Sequence, residues 1–272
     1  MYQVLIPVDD DENRALHQAK YVANLPDAET EVAATVLYVA EPRELGRASD
    51  VEFDDVTAAV DAADHLETNG VDVSRRVGDG GVAEEIIRVS EDQDSDEVVM
   101  GGRKRSGVTQ ALLGSTARDV FVSTERPVTV TGTGMVLDSD TKEILVPVDT
   151  NVERARRQAE YVAGLPNAEE NAEATVMYVF PHQDYKGAPT HTFDEVDAAV
   201  EAADALESAG VPVERTAVGG EVVPTILDAA EDRGVNSIAM GGRKRSGVQK
   251  VLLGSTAMDV LLSAERPITL CG

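Results

Sequence analysis

Two long apolar runs, near residues 2–8 and 32–40, are bounded by acidic or proline-containing turns, which is how strands buried on both faces of a parallel sheet read. Shorter apolar runs at 71–77, 96–100 and 127–131 complete a set of five. Between them the spacing turns helical, over about 11–24, 53–69, 82–92 and 115–124; in the second of these Ala58, Ala59, Ala62, Ala63 and Leu66 make the apolar face. Gly70 follows that helix where a left-handed terminating glycine belongs. Strands alternating with helices predict an α/β fold, a doubly wound parallel sheet with right-handed crossovers.

The pattern then starts again. Displaced by 140 residues, the chain aligns with itself without a gap, and roughly half the positions from 5–132 are identical in 145–272. Leu5-Ile6-Pro7-Val8-Asp9 meets Leu145-Val146-Pro147-Val148-Asp149, Ala34-Thr35-Val36 meets Ala174-Thr175-Val176, and Gly210 repeats Gly70. Solenoid repeats run about 20–50 residues, so a period this long marks a duplicated domain. The expected organisation is a first domain over 1–132, a linker over 133–140 rich in Gly, Ser, Thr and Asp, and a second domain over 141–272. Segments 41–52 and 181–192 share only Ala48 and Ala188, as expected of a surface loop free to diverge.

Composition narrows the partners. Of the 272 residues 42% are hydrophobic, enough for two cores, and 50 acidic against 24 basic side chains give a net charge of −26. That field repels nucleic acid and an anionic membrane surface; tryptophan is absent and aromatics are 4%, so no stacking platform for single strands is expected either. Only six of the basic residues are lysine. Abundant carboxylate with little lysine suits a halophilic, salt-rich cytoplasm, where a Debye length of about 3 Å at 1 M mutes self-repulsion. Cys271 is the sole cysteine, so no internal disulfide forms; no apolar run approaches the ~18 residues of a membrane span and no leader is apparent. A cytoplasmic protein is expected.

The longest identical block runs Met100-Gly101-Gly102-Arg103-Lys104-Arg105-Ser106-Gly107-Val108 and recurs as Met240-Gly241-Gly242-Arg243-Lys244-Arg245-Ser246-Gly247-Val248. Gly114-Ser115-Thr116 and Gly254-Ser255-Thr256 follow, each opening a helix. A strand end, a glycine-rich basic loop and a helix start together make an anion site, because free backbone N–H groups and the positive helix end face the ligand. The two triplets hold six of the 24 basic residues of a strongly acidic chain, which points to a phosphate clamp. The competing account gives the glycines to turns, makes Ser115 and Ser255 helix caps and pairs the arginines with the chain's own carboxylates.

These residues resemble the universal stress protein family, whose ATP-binding members carry Gly, two residues, Gly, nine residues, then Gly followed by Ser or Thr. Here Gly101 leads to Lys104, nine residues intervene and Gly114-Ser115 follows; Gly241, Lys244 and Gly254-Ser255 repeat the spacing. Lys104 and Lys244 stand where the pattern has its second glycine. The resemblance implies two tandem five-stranded Rossmann-like domains of strand order 3-2-1-4-5 and ATP or another adenine nucleotide as ligand, with or without Mg2+. It places Pro7, Val8 and Asp9, or Pro147, Val148 and Asp149, near ribose and adenine, and Val39 or Val179 at the adenine edge. It puts Met100 to Lys104, Gly107 and Gly114 to Thr116, or Met240 to Lys244, Gly247 and Gly254 to Thr256, around ribose and phosphates. It further implies that the two halves pair within one chain as an intramolecular pseudo-dimer, with a homodimer of whole chains open. A physical rule agrees on the place: ligands of open α/β sheets bind where the strand order reverses, here between the first and fourth strands. Asp9 could equally cap the first helix.

Other chemistry lacks its hardware. The chain contains no Gly-x-x-x-x-Gly-Lys-Ser/Thr loop, no Gly-x-Gly-x-x-Gly opening the first helix and no Gly-x-Ser-x-Gly elbow. His17, His65, His182 and His191 show no metal-ligand spacing and read as surface or packing residues. The expectation is a tandem stress protein that binds an adenine nucleotide and acts as a ligand-responsive regulator, not an enzyme. The alternatives are an interaction protein that binds no nucleotide and a slow ATPase.

Overall fold

The computed structural model describes residues 1–40, 51–104, 111–112, 114–132, 134–136, 141–181, 190–244, 251–252 and 254–272. The chain divides into two compact units, Met1–Thr133 and Gly134–Gly272.

In the first unit β1 (Tyr2–Val8) leads through α1 (Glu12–Ala23) and the short α2 (Ala28–Glu31) to β2 (Val32–Ala40). A single 3-10 turn at Phe53–Asp55 precedes α3 (Thr57–Thr68), β3 (Asp72–Asp79), α4 (Val82–Asp92) and β4 (Glu97–Gly101). The two-residue strands β5 (Arg103–Lys104) and β6 (Ala111–Leu112), α5 (Ser115–Ser123) and β7 (Val128–Thr131) complete it. The sheet has the order β3-β2-β1-β4-β7 and is parallel throughout. The expected 3-2-1-4-5 order therefore holds, with β7 as the fifth strand. β5 pairs antiparallel with β6, as a small arm apart from the sheet.

Burial explains why these segments fold as they do. Val4, Leu5 and Ile6 of β1 and Val36 and Leu37 of β2 are fully or almost fully buried, since helices cover both faces. On one face α1 packs against α3, whose Ala58, Ala59, Ala62 and Ala63 are all buried and let the helices approach closely; α4 packs on α5. Gly70 ends α3 with φ +81°, the left-handed conformation expected of it.

The second unit repeats this plan. Its strands are β8 (Lys142–Pro147), β9 (Ala172–Phe180), β10 (Val213–Gly219), β11 (Ser237–Gly241), the arm strands β12 (Arg243–Lys244) and β13 (Val251–Leu252), and β14 (Ile268–Cys271). Its helices are α6 (Val152–Ala163), α7 (Ala168–Asn171), α8 (Asp197–Ser208), α9 (Val222–Asp232) and α10 (Ser255–Ser263). The sheet order is β10-β9-β8-β11-β14, again all parallel.

Besides the single-turn α2 and α7, four details depart from the sequence reading. The long helix expected over 53–69 is split, because Phe53–Asp55 forms a separate turn closed by a capping box between Glu52 and Asp55. Asp9 does not cap the first helix: Asp11 does, accepting the Arg14 amide at 3.0 Å. Ser115 and Ser255 are not caps either, since Gly114 and Gly254 occupy those positions and the serines are the first helical residues. The arm strands were not anticipated. Among the described residues no helix is long and apolar enough to cross a membrane.

The buried polar groups of the two cores differ around Glu97. In the first unit the fully buried Glu97 accepts hydrogen bonds from the Tyr2 and Tyr21 hydroxyls, each at 3.1 Å, and from Thr129. In the second unit Ser237 takes the place of Glu97, and the hydroxyls of Tyr161 and Thr269 bond to each other at 3.0 Å.

Candidate nucleotide-binding crevices

The ladder between β1 and β4 ends early. Only Val4 with Glu97 and Leu5 with Val98 are in register, and beyond them the strands splay towards their carboxyl ends. The carbonyls of Pro7 and Val99 would then be buried without ladder partners. The amide nitrogen of Gln18, 2% exposed on α1, donates to both at 2.8 Å and spans the gap. Gln158 does the same for Pro147 and Ala239, at 2.9 and 2.8 Å. The strands are thus held open at a fixed width where the sheet order reverses.

Above each glutamine, one helical turn earlier, lies an arginine. Arg14 donates to Oδ1 of Asp9 from Nε at 3.1 Å and from Nη2 at 2.9 Å, and its guanidinium also approaches Asp11 at 3.2 Å. Asp9 Oδ1 additionally accepts the Asp11 amide at 3.1 Å, which turns the chain from β1 into α1. In the second unit Arg154 donates to Asp149 through Nε at 2.9 Å, while Asn151 caps the helix. The first aspartate of each half therefore faces the crevice with its charge shared by an arginine.

Around this pair the walls close a cavity of about 200 Å³ in the first unit and about 210 Å³ in the second. Pro7, Val8 and Asp9 form one side of the first cavity, Met100 and Gly101 another, and Tyr38, Val39, Val82 and Ile86 an apolar wall. Gly114, Ser115, Thr116 and Ala117 close it with the start of α5. Gly114 provides no side-chain cap, and the first hydrogen bond of that helix runs from Arg118 to Gly114. The amides of Ser115, Thr116 and Ala117 consequently have no hydrogen-bond partner among the described residues and carry the positive end of the helix. Gly254 and Ala257 repeat this in the second unit.

Most of the residues singled out in the sequence meet here. Pro147, Val148, Asp149, Val179, Met240, Gly241, Gly254 and Thr256 line the second cavity; Ser255 does not. Gly102 and Gly242 line neither and serve the strand ends instead. A β-carbon on Gly102 would lie 2.5 Å from the Thr131 carbonyl, and the Gly242 amide donates to the Cys271 carbonyl at 2.7 Å. Lys104 and Lys244 sit in the arm strands opposite Ala111 and Val251. Gly107 and Gly247 lie outside the described residues, as does His182. Sequence reasoning passed over Arg14, Arg154, Gln18 and Gln158, although each pair recurs at the 140-residue offset, four residues apart on one helix face.

The universal stress protein family model matches residues 1–132 and again 141–272. The chain belongs to the universal stress protein family. Among solved structures, a universal stress protein from Archaeoglobus fulgidus DSM 4304 is similar over 99% of this chain and 97% of its own, at 24% identity and a TM-score of 0.72. A functionally unknown protein from Pseudomonas aeruginosa PAO1 covers 99% and 92%, at 18% identity and a TM-score of 0.64. A universal stress protein in complex with cAMP aligns with 37% of the chain and 75% of its own, at 20% identity and a TM-score of 0.29. No curated protein matches. At these identities the likeness speaks for the universal stress protein fold.

Proposed function

We propose that the crevices of this tandem universal stress protein bind an adenine nucleotide, with ATP the reference ligand, and that the chain is a ligand-responsive regulator rather than a fast enzyme. The observation that carries this reading is the pairing of two unlike ends in one cleft. Unpartnered amides at Ser115–Ala117 suit a phosphate, while Val39, Val82 and Ile86 suit the flat apolar face of a base. Asp9, between them, is placed to accept from ribose hydroxyls or a base amine. The second unit offers the same combination, with Val179, Val222 and Ile226 opposite Gly254–Ala257.

The family pattern supplies the adenine class, and its departure at Lys104 and Lys244 favours a second reading, an interaction protein without a nucleotide. Any Mg2+ would be held chiefly by the phosphates of the nucleotide.

The test is calorimetric titration of ATP, ADP, AMP and cAMP into the full chain in molar KCl. Saturable binding of at least one supports the proposal, and heats of dilution alone for all four support the interaction protein. Release of phosphate in the same solution would instead favour the slow ATPase.

A further inference from the structure

We infer that the two crevices are unequal, and that the second, between β8 and β11, is the tighter site for an anionic nucleotide. This rests on the nucleotide reading above and adds a ranking that the duplication alone would not suggest.

Three observations point the same way. The first is charge. Among the described residues, Asp9, Asp10 and Arg14 are the charged side chains that line the first crevice, and Asp149 and Arg154 those that line the second. The flanks widen the gap by one carboxylate, because Asp11 and Glu12 of the first half correspond to Asn151 and Val152, while Asn13 corresponds to Glu153. The phosphate-side groups do not compensate: Gly114-Ser115-Thr116 and Gly254-Ser255-Thr256 are identical, as are the basic triplets, and Arg118 of the first half is exposed and does not line the cavity. A phosphate chain entering the first crevice therefore meets more repulsion for the same attraction.

The second is a hydroxyl. In the first unit the Tyr38 hydroxyl donates to Asp10 at 3.2 Å. Thr150 takes the place of Asp10 in the second, and the Tyr178 hydroxyl, on the wall of the cavity, makes no hydrogen bond among the described residues. It can bond a ligand without first giving up a carboxylate.

The third is aromatic surface. Tyr178 packs edge-on against Phe180 at 4.7 Å between centroids, and Phe180 stacks on His191 at 5.1 Å with 19° between the rings. The first half has Ala40 and Val51 at the last two positions. Tyr178, on the wall of the second cavity, thus adjoins rings that the first half lacks at these positions, and a base could extend toward them.

The experiment isolates each site in the full chain. Gly114→Asp closes the first crevice and Gly254→Asp the second; aspartate is a favoured N-cap, so each helix is kept while the new carboxylate takes the amides and repels phosphate. ATP is titrated into both variants at the lowest KCl concentration at which they remain folded, and again in molar KCl. Gly114→Asp is expected to keep the tighter affinity, by roughly tenfold over Gly254→Asp, with the difference shrinking as salt screens the carboxylates. Adding Asp10→Thr and Asp11→Asn to Gly254→Asp should recover most of that difference, and both changes leave the helix capped, since asparagine caps as well as aspartate. Equal affinities, a tighter first crevice, or no gain from the added substitutions would overturn the ranking while leaving nucleotide binding in place. An unmutated chain that binds no ATP would overturn both.

Discussion

Arg14 crosses Gly101 so closely that a β-carbon on the glycine would stand 2.2 Å from the arginine Cγ and 2.5 Å from its Cδ. Glycine at this point of the family pattern thus does more than bring backbone to a ligand. It leaves the lane through which Arg14 reaches Asp9. Gly101→Ala should displace the arginine and cost about 1–3 kcal/mol, the usual range for overpacking, with little added by the loss of a partly exposed ion pair. At Gly241 the nearest arginine atom would be 3.1 Å away, so Gly241→Ala should cost less. Denaturant titration of both variants checks this; equal losses would contradict it.

Gln18 and Gln158 each satisfy two buried carbonyls at the mouth of a crevice. Gln18→Met keeps most of the volume but removes both donors, so it should cost roughly 2–6 kcal/mol at ~1–3 per unsatisfied group. A loss below about 0.5 kcal/mol, the level of an ordinary surface change, would mean that water or a shift of the strands replaces the amide.

Burial, and then the Glu97 charge beside it, push the Tyr2 hydroxyl well above the ordinary tyrosine value. In the unfolded chain this tyrosine ionises near its ordinary pKa of about 10, while the folded protein keeps it neutral. The stability contributed is therefore complete below pH ~10 and is lost as pH rises through and beyond that value. Tyr2→Phe should flatten the decline of stability above pH ~10, measured by denaturant titration across alkaline pH. An unchanged slope would remove Tyr2 from the alkaline response.

With a net charge of −26, and with several of the described arginines already paired to carboxylates, as in Arg75 with Asp64 and Glu67 or Arg215 with Asp204 and Glu207, the remaining acids repel one another. Salt should relieve this. The melting temperature is expected to rise steadily between 0.1 and 3 M KCl, where the Debye length falls from about 10 Å to under 3 Å. A flat response across that range would contradict the expectation that the acidic surface suits high salt.

The sheet strands and long helices could be read from the chain because each satisfies one strong pattern: apolar runs for strands buried on both faces, and alanine or leucine stripes for the helices. The elements that escaped notice obey no such period. α2 and α7 are a single turn each, entered through Asp27 and Asn167 at φ +46°, and the arm strands are two residues long. The crevice itself was half legible. Glycines and Asp9 announced themselves by motif, whereas Arg14 and Gln18 look like ordinary polar members of an amphipathic helix, and only the splayed strands reveal why a glutamine is buried there. The choice left open between a cap and a crevice role for Asp9 is settled in a related way. Asp9 and Asp11 are both sound candidates locally, and the choice was made by Arg14, which claims Asp9.

The amides at the starts of α5 and α10 are proposed to hold phosphate, and titration of ATP into the chain carrying both Gly114→Asp and Gly254→Asp, with the unmutated chain alongside, tests this. The double variant should melt within a few degrees of the parent and lose about 3 kcal/mol or more of binding, more than a hundredfold in affinity. Unaltered affinity in the folded double variant would place the nucleotide elsewhere and contradict that proposal.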